Sequence, residues 1–113
     1  MICRIWHGWT SPRNADAYEK VVRSDVIPGI EARRIPGFRQ IDLLRHDAGD
    51  EVEFTTLMWF DSLEAVKEFM GEDYSVSHVP AAARAVLSRF DERALHCQVI
   101  DRRPQHWHAI AHR

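Results

Sequence analysis

Glu51-Val52-Glu53-Phe54-Thr55-Thr56-Leu57-Met58-Trp59-Phe60-Asp61-Ser62-Leu63-Glu64 decides how the rest of the chain is read. Side chains on a strand alternate between its two faces. Glu51 to Phe60 therefore reads as a strand with Val52, Phe54, Thr56, Met58 and Phe60 on one face and Glu53, Thr55, Leu57 and Trp59 on the other. Asp61-Ser62-Leu63-Glu64 has the spacing of a capping box. It opens a short helix that buries Val66, Phe69 and Met70, and Gly71 stops it. Immediately upstream, Ala48-Gly49-Asp50 is a tight-turn signal that joins this strand to another from Phe38 to Asp47, with Ile41 and Leu43 on one parity and Leu44 on the other.

Further out, Ile2 to Trp9 is a strand that is apolar on both parities. Ile2, Trp6 and the backbone of Gly8 point one way; Cys3, Ile5, His7 and Trp9 point the other. A strand of that kind is covered on both sides. Ser11-Pro12 is a helix start, with serine as cap and proline in the first turn. Tyr18, Val22, Val26 and Ile30 recur at helical spacing, while Asp16, Glu19, Lys20 and Arg23 make the wet face. Pro28-Gly29 is expected to kink or end this helix, and Pro36-Gly37 closes the connection. Toward the C-terminus, Pro80 starts a helix with Ala83, Val86, Leu87 and Phe90 inward, and Arg93 to Ile100 is the last strand.

The order strand, helix, strand, strand, helix, strand is the ferredoxin-like βαββαβ pattern, an α+β fold with helices on one face of an antiparallel sheet. Large apolar groups such as Trp6, Phe54 and Met58 are assigned to the uncovered face. Left in water they would make a patch larger than monomers usually carry, so a second copy packed face to face is expected, as a homodimeric barrel.

With 113 residues the chain has room for one domain, residues 1–100, followed by a tail, 101–113, without sustained periodicity. A net charge of −2 gives no electrostatic reason to expect nucleic acid. No stretch is long and apolar enough for a membrane span or a signal peptide, so a cytoplasmic protein is expected. In a reducing compartment Cys3 and Cys97, both on strands, are expected to be free thiols. No phosphate-binding glycine loop, nucleophile elbow or cysteine-rich metal motif is present.

The segments Glu51 to Phe54 and Met58 to Val66, together with Ile5-Trp6-His7-Gly8, Ile35-Pro36-Gly37-Phe38, Gly71-Glu72-Asp73-Tyr74, Val79-Pro80 and Leu87 to Arg93, resemble the antibiotic-biosynthesis-monooxygenase-like family of small dimeric α+β barrels. The resemblance covers about residues 1 to 100. It implies a fold more firmly than an activity, because one scaffold hosts many functions. The best-understood relatives oxidise polyketide quinols with molecular oxygen and neither metal nor flavin; others bind and degrade haem.

Metal-free oxygenation asks little of a protein. It needs a base with a pKa near neutrality, an apolar slot for a flat phenolic molecule, and donors for the charge that develops. His7 and His78 are the candidate bases. Trp59 is expected to hold the ring, with Trp9 and Phe38 as further aromatic slabs. Tyr74 could donate to a substrate oxygen. A pocket bounded by His7, Trp9, Leu57, Trp59 and the helix carrying Phe69 is expected, provided that the parity of His7 faces the helices. His96, on the last strand, could line this pocket or the dimer cavity.

The resemblance also implies an alternative. In haem-degrading relatives the axial histidine lies downstream of the central strand, much as His78 follows Trp59, and a polar group on the first strand stands near the other haem face. His7 occupies that place here, where those relatives carry an amide. No cofactor is expected in the first reading and haem in the second, and no metal set is expected in either. In the tail, His106, His108 and His112 flank Trp107, and His108 and His112 would share a helical face. Arg33-Arg34 and Arg102-Arg103 read as solvated surface. A third reading is a non-catalytic dimer, either a small-molecule carrier or a stress-response module whose pocket is filled by its own side chains.

Overall fold

A computed structural model describes residues 1–106 of the chain. Strand β1 (Ile2–Thr10) is followed by a single 3-10 turn (Pro12–Asn14), helix α1 (Ala15–Val21), a π-helical turn (Val22–Val26) and helix α2 (Ile27–Ala32). Strands β2 (Phe38–Asp47) and β3 (Val52–Phe60) form the hairpin, and helix α3 (Leu63–Met70) and the four-residue helix α4 (Ala81–Arg84) follow. Strands β4 (Arg89–Phe90) and β5 (Leu95–Gln98) end the fold.

The sheet is antiparallel, in the order β2-β3-β1, with β4 and β5 sharing the far edge of β1. β1 and β3 pair over their full lengths, from Ile2 against Phe60 to Thr10 against Val52. This is the ferredoxin-like α+β arrangement expected from the sequence. Its last strand is split: β4 holds Gly8 and Trp9 while β5 holds Ile2 to Ile5. Between them the chain loops out, tied by a bridge from Val76 to Arg93.

The helices cover the face that carries the even-numbered residues of β1 and β3. Trp6, Val52, Phe54, Met58 and Phe60 are buried there. One cluster gathers Trp6 and Phe54 with Tyr18 and Val22; the other gathers Met58 and Phe60 with Ile30, Val66 and Phe69. This corrects the expectation that Trp6, Phe54 and Met58 lie on the uncovered face. The open face instead carries Cys3, Ile5, His7 and Trp9 of β1, Leu57 and Trp59 of β3, and, at its margins, Leu44 and Leu95, 48% and 61% exposed. Alternation sorts a strand into two sets, and it takes the crossing helix to say which set is covered.

Three local readings also change. Pro28-Gly29 does not end the first helical run, which continues to Ala32. The widened turn absorbs the proline: Ile27 N–H donates to Val22 O, five residues back, just before the residue that has no N–H to give. Ser62 caps α3 by accepting from Ala65 N–H at 3.3 Å, but the third helical position is Ala65, so Glu64 cannot complete a capping box. After α4 the chain opens into a turn, and Phe90 belongs to β4. Cys3 and Cys97 are free thiols, directly opposite each other on β1 and β5.

Gly37, before β2, has φ +84°, and a Cβ there would meet Ala65 Cβ of α3 at 2.8 Å. Gly49 in the hairpin turn has φ +87° with open space around it. Gly37→Ala is therefore expected to cost about 2–4 kcal/mol, strain plus overpacking, and Gly49→Ala about 1 kcal/mol. Urea unfolding midpoints of the two variants check the order.

Candidate functional site

Between the sheet and the helices lies a narrow, half-open cleft with room for only a few water molecules. Arg4, Trp6, Ile41, Thr56 and Met58 of the strands form its floor. Val22, Val26, Ile27 and Ile30 form the far wall. The π turn contributes to that wall, because its extra residue lets both Val26 and Ile27 reach the cavity after Val22. Buried Phe69 and exposed His78 complete the lining, together with Val79 and Pro80. The lining is mostly apolar, with a few polar groups, as small-molecule sites usually are.

His78 precedes α4, and its ring meets Phe69 at 5.2 Å between centroids. The residue as a whole is exposed. Partial desolvation, and then the charges of Arg33 and Arg4, hold its pKa below the usual value, so it is neutral at physiological pH. A neutral imidazole can accept a proton or bind a metal.

Arg4 is the least expected member of the floor. Only 3% of it is exposed. Its Nη1 donates to Tyr74 O and to His96 Nε2 at 3.0 Å, its Nη2 donates to Val76 O at 2.8 Å, and its guanidinium lies over the Phe69 ring at 5.5 Å. All these partners are neutral. Among the described residues no carboxylate pairs with Arg4, and desolvation alone lowers its pKa to about 10, which leaves it charged at neutral pH. Trp6, beside it, donates from Nε1 to Ser77 Oγ at 3.0 Å and to Asp91 O at 2.8 Å.

The sequence candidates therefore divide. His78 and Phe69 meet at the cavity. His96 and Tyr74 stand behind Arg4, their rings edge to face at 5.0 Å. Phe38 packs in the core against Phe60 at 5.3 Å. His7, Trp9, Leu57 and Trp59 lie on the open face, with the sheet between them and the cavity. The parity of His7 does not face the helices, so the pocket expected around His7, Trp9, Leu57 and Trp59 is not formed in that shape. His7 instead bonds Asp91 through Nδ1 at 2.8 Å and stacks on Trp9, over which Arg89 lies at 3.8 Å. His106 is exposed, whereas Trp107, His108 and His112 fall outside the described residues. Among those described, no group of three metal-ligating side chains occurs.

Sequence reasoning missed Arg4 and the π turn. Arg4 left one signal, a charge between Ile2 and Trp6 on the same parity. Pro28 was the trace of the second.

No protein-family model matches the chain, and no curated protein does. Solved structures do. A candidate antibiotic biosynthesis monooxygenase from Bacillus cereus superposes with TM-score 0.64 at 11% identity, over 92% of this chain and 97% of that one. The haem degrader MhuD of Mycobacterium tuberculosis, solved with two haems in its active site, gives TM-score 0.57 at 19% identity, over 92% of this chain and 100% of that one. Rv0793 from the same organism gives 0.57 at 19%, over 89% and 96%. The chain thus has the fold of the antibiotic-biosynthesis-monooxygenase-like proteins.

His96 is held neutral, by desolvation and then by Arg4, with its pKa lowered to about 4. A depressed histidine stabilises the fold above the unfolded value of about 6.5, and that contribution is lost as pH falls toward 4, where the unfolded state binds the extra proton. His96→Gln keeps an acceptor for Arg4 and removes the titration. The drop in urea midpoint between pH 7 and pH 4.5 is expected to be smaller in His96→Gln than in the parent.

Proposed function

We propose that this chain takes a small phenolic or quinol-type aromatic molecule into the cavity between sheet and helices and oxidises it with molecular oxygen, using neither metal nor flavin. The observation that carries the reading is a neutral imidazole, His78, at the mouth of an apolar cavity beside the Phe69 ring. His78 accepts the phenolic proton. Phe69 packs on the substrate ring. The phenolate so formed passes an electron to molecular oxygen; the resulting radical and superoxide combine at a ring carbon, and the peroxide formed there breaks its O–O bond and loses water, leaving the carbonyl of a quinone. The roles rest on His78 and Phe69, because the sheet stands between the cavity and His7, Trp9, Leu57 and Trp59.

A second reading is haem binding. It is favoured by the same neutral imidazole, which could ligate iron, and by the likeness in fold to MhuD. His78 would hold the iron, and the helices would have to move away from the sheet to admit the macrocycle, since the cleft as it stands is too narrow for it; the haem itself would supply the chemistry of oxygen activation.

We also propose that a second copy covers the open face, where Leu44 and Leu95 are exposed beside Leu57 and Trp59. No helix among the described residues is long and apolar enough to cross a membrane.

Oxygen uptake with a panel of hydroquinones and anthrones, on metal-free protein, is expected to exceed the buffer rate and to fall by about 10²-fold or more in His78→Ala, the range of a lost general base. Uptake equal to buffer across the panel overturns the oxidation. Hemin titration separates the readings: a Soret shift that His78→Ala abolishes assigns haem instead. In sedimentation, the parent is expected at twice the 13.2 kDa of one chain, and Leu44→Asp with Leu95→Asp at one.

A further inference from the structure

Arg4 poses a problem that the proposed oxidation leaves open. Arg4 is a buried residue, 3% exposed, and its guanidinium has only neutral partners, so it carries an uncompensated charge in a low-dielectric site. Such a charge is expensive to bury, and a ligand that brings a counter-charge would offset that cost. Arginine has five N–H donors. Three of them serve Tyr74 O, His96 Nε2 and Val76 O. The Nε–H and one Nη2–H have no acceptor among the described residues, and the side chain lines the cavity floor.

We propose that the cavity is a site for an aromatic carboxylate, whose carboxylate group Arg4 binds while its ring lies between Phe69 and the apolar helix wall. Planarity favours a carboxylate, because a guanidinium fork matches two coplanar oxygens. Charge favours it too. A simple phenol, with a pKa near 10, is neutral at pH 7 and cannot compensate the cation, whereas a carboxylate is ionised on entry. The other polar groups that face this corner do not compete. His96 already accepts from Arg4, the Tyr74 and Val76 carbonyls are acceptors only, and Trp6 Nε1 is turned away to Ser77 and Asp91. The three hydrogen bonds hold the guanidinium still before the ligand arrives, which lowers the ordering cost of binding.

This inference rests on the cavity named as the substrate site but deepens it, by requiring an acid group on the ring. Paired titrations by calorimetry test it, with 2-naphthoate against its neutral isostere 2-naphthamide. On the parent protein the acid is expected to bind at least about tenfold more tightly, a difference of about 1.4 kcal/mol. In Arg4→Gln that preference is expected to disappear, and in Arg4→Lys to survive in part, since the charge stays and the fork is lost. Equal affinity of acid and amide on the parent, or binding of neither, overturns the proposal without recourse to any variant. Acid preference that persists undiminished in a folded Arg4→Gln overturns it as well. The two proposals fail separately. Selective binding of the acid without oxygen uptake removes the oxidation and leaves the anion site; oxygen uptake with uncharged quinols and no acid preference does the reverse.

Discussion

The fold depends on burying one face of two paired strands. The even-numbered side chains of β1 and β3 (Trp6, Phe54, Met58 and Phe60 foremost) pack beneath the helices. That contact orients the sheet and fixes which residues reach the cavity. Fully burying a side chain of this size is worth about 1.5–3 kcal/mol. The same contact leaves the odd-numbered set, from Ile5 to Trp59, on the other side. Apolar residues on that second side make the sheet one that wants cover on both faces. The helical cover is itself adjusted, since the π turn before Pro28 lets one helical run cross the whole sheet without breaking.

Within this frame Arg4 organises the polar part of the interior. It ties β1 to the segment containing Tyr74 and Val76, and to His96 on β5, so that one guanidinium holds three parts of the chain. Its hydrogen bonds offset part of the desolvation cost, and the charge itself stays unpaired among the described residues. The two nearby imidazoles respond to it. His78 and His96 are both kept neutral, mainly by desolvation and partly by the cation. Position on the floor of an apolar cavity thus sets the protonation state of the groups around it.

Most of the architecture was legible in the residues. The β2–β3 hairpin, the run of β1, the start of α3 just after Asp61 and its stop at Gly71 all follow from local patterns with local causes. The site was less legible. His78, expected as a base, and Phe69, expected on the helix bounding the pocket, both line the cleft; one lies just ahead of α4 and the other on the buried stripe of α3. His7 and Trp9 went to the wrong side of the sheet, and Arg4 passed unnoticed, for one reason: a period of two separates faces without naming them. Phe90 was drawn into a helix because its spacing from Leu87 suits one, and only pairing with Gly8 assigns it to a strand.

The sequence alone determined the order of elements, the two sets of side chains on each strand and the βαββαβ pattern, since these depend on neighbours a few residues apart. Tertiary structure decided which set meets the helices, how far the first helical run extends past Pro28, and that Arg4, His78 and Phe69 converge while His7 does not. Those outcomes depend on contacts between residues as much as 92 positions apart, such as Arg4 with His96. Local spacing carries no information about a partner at that distance; the packing of helices on the sheet does.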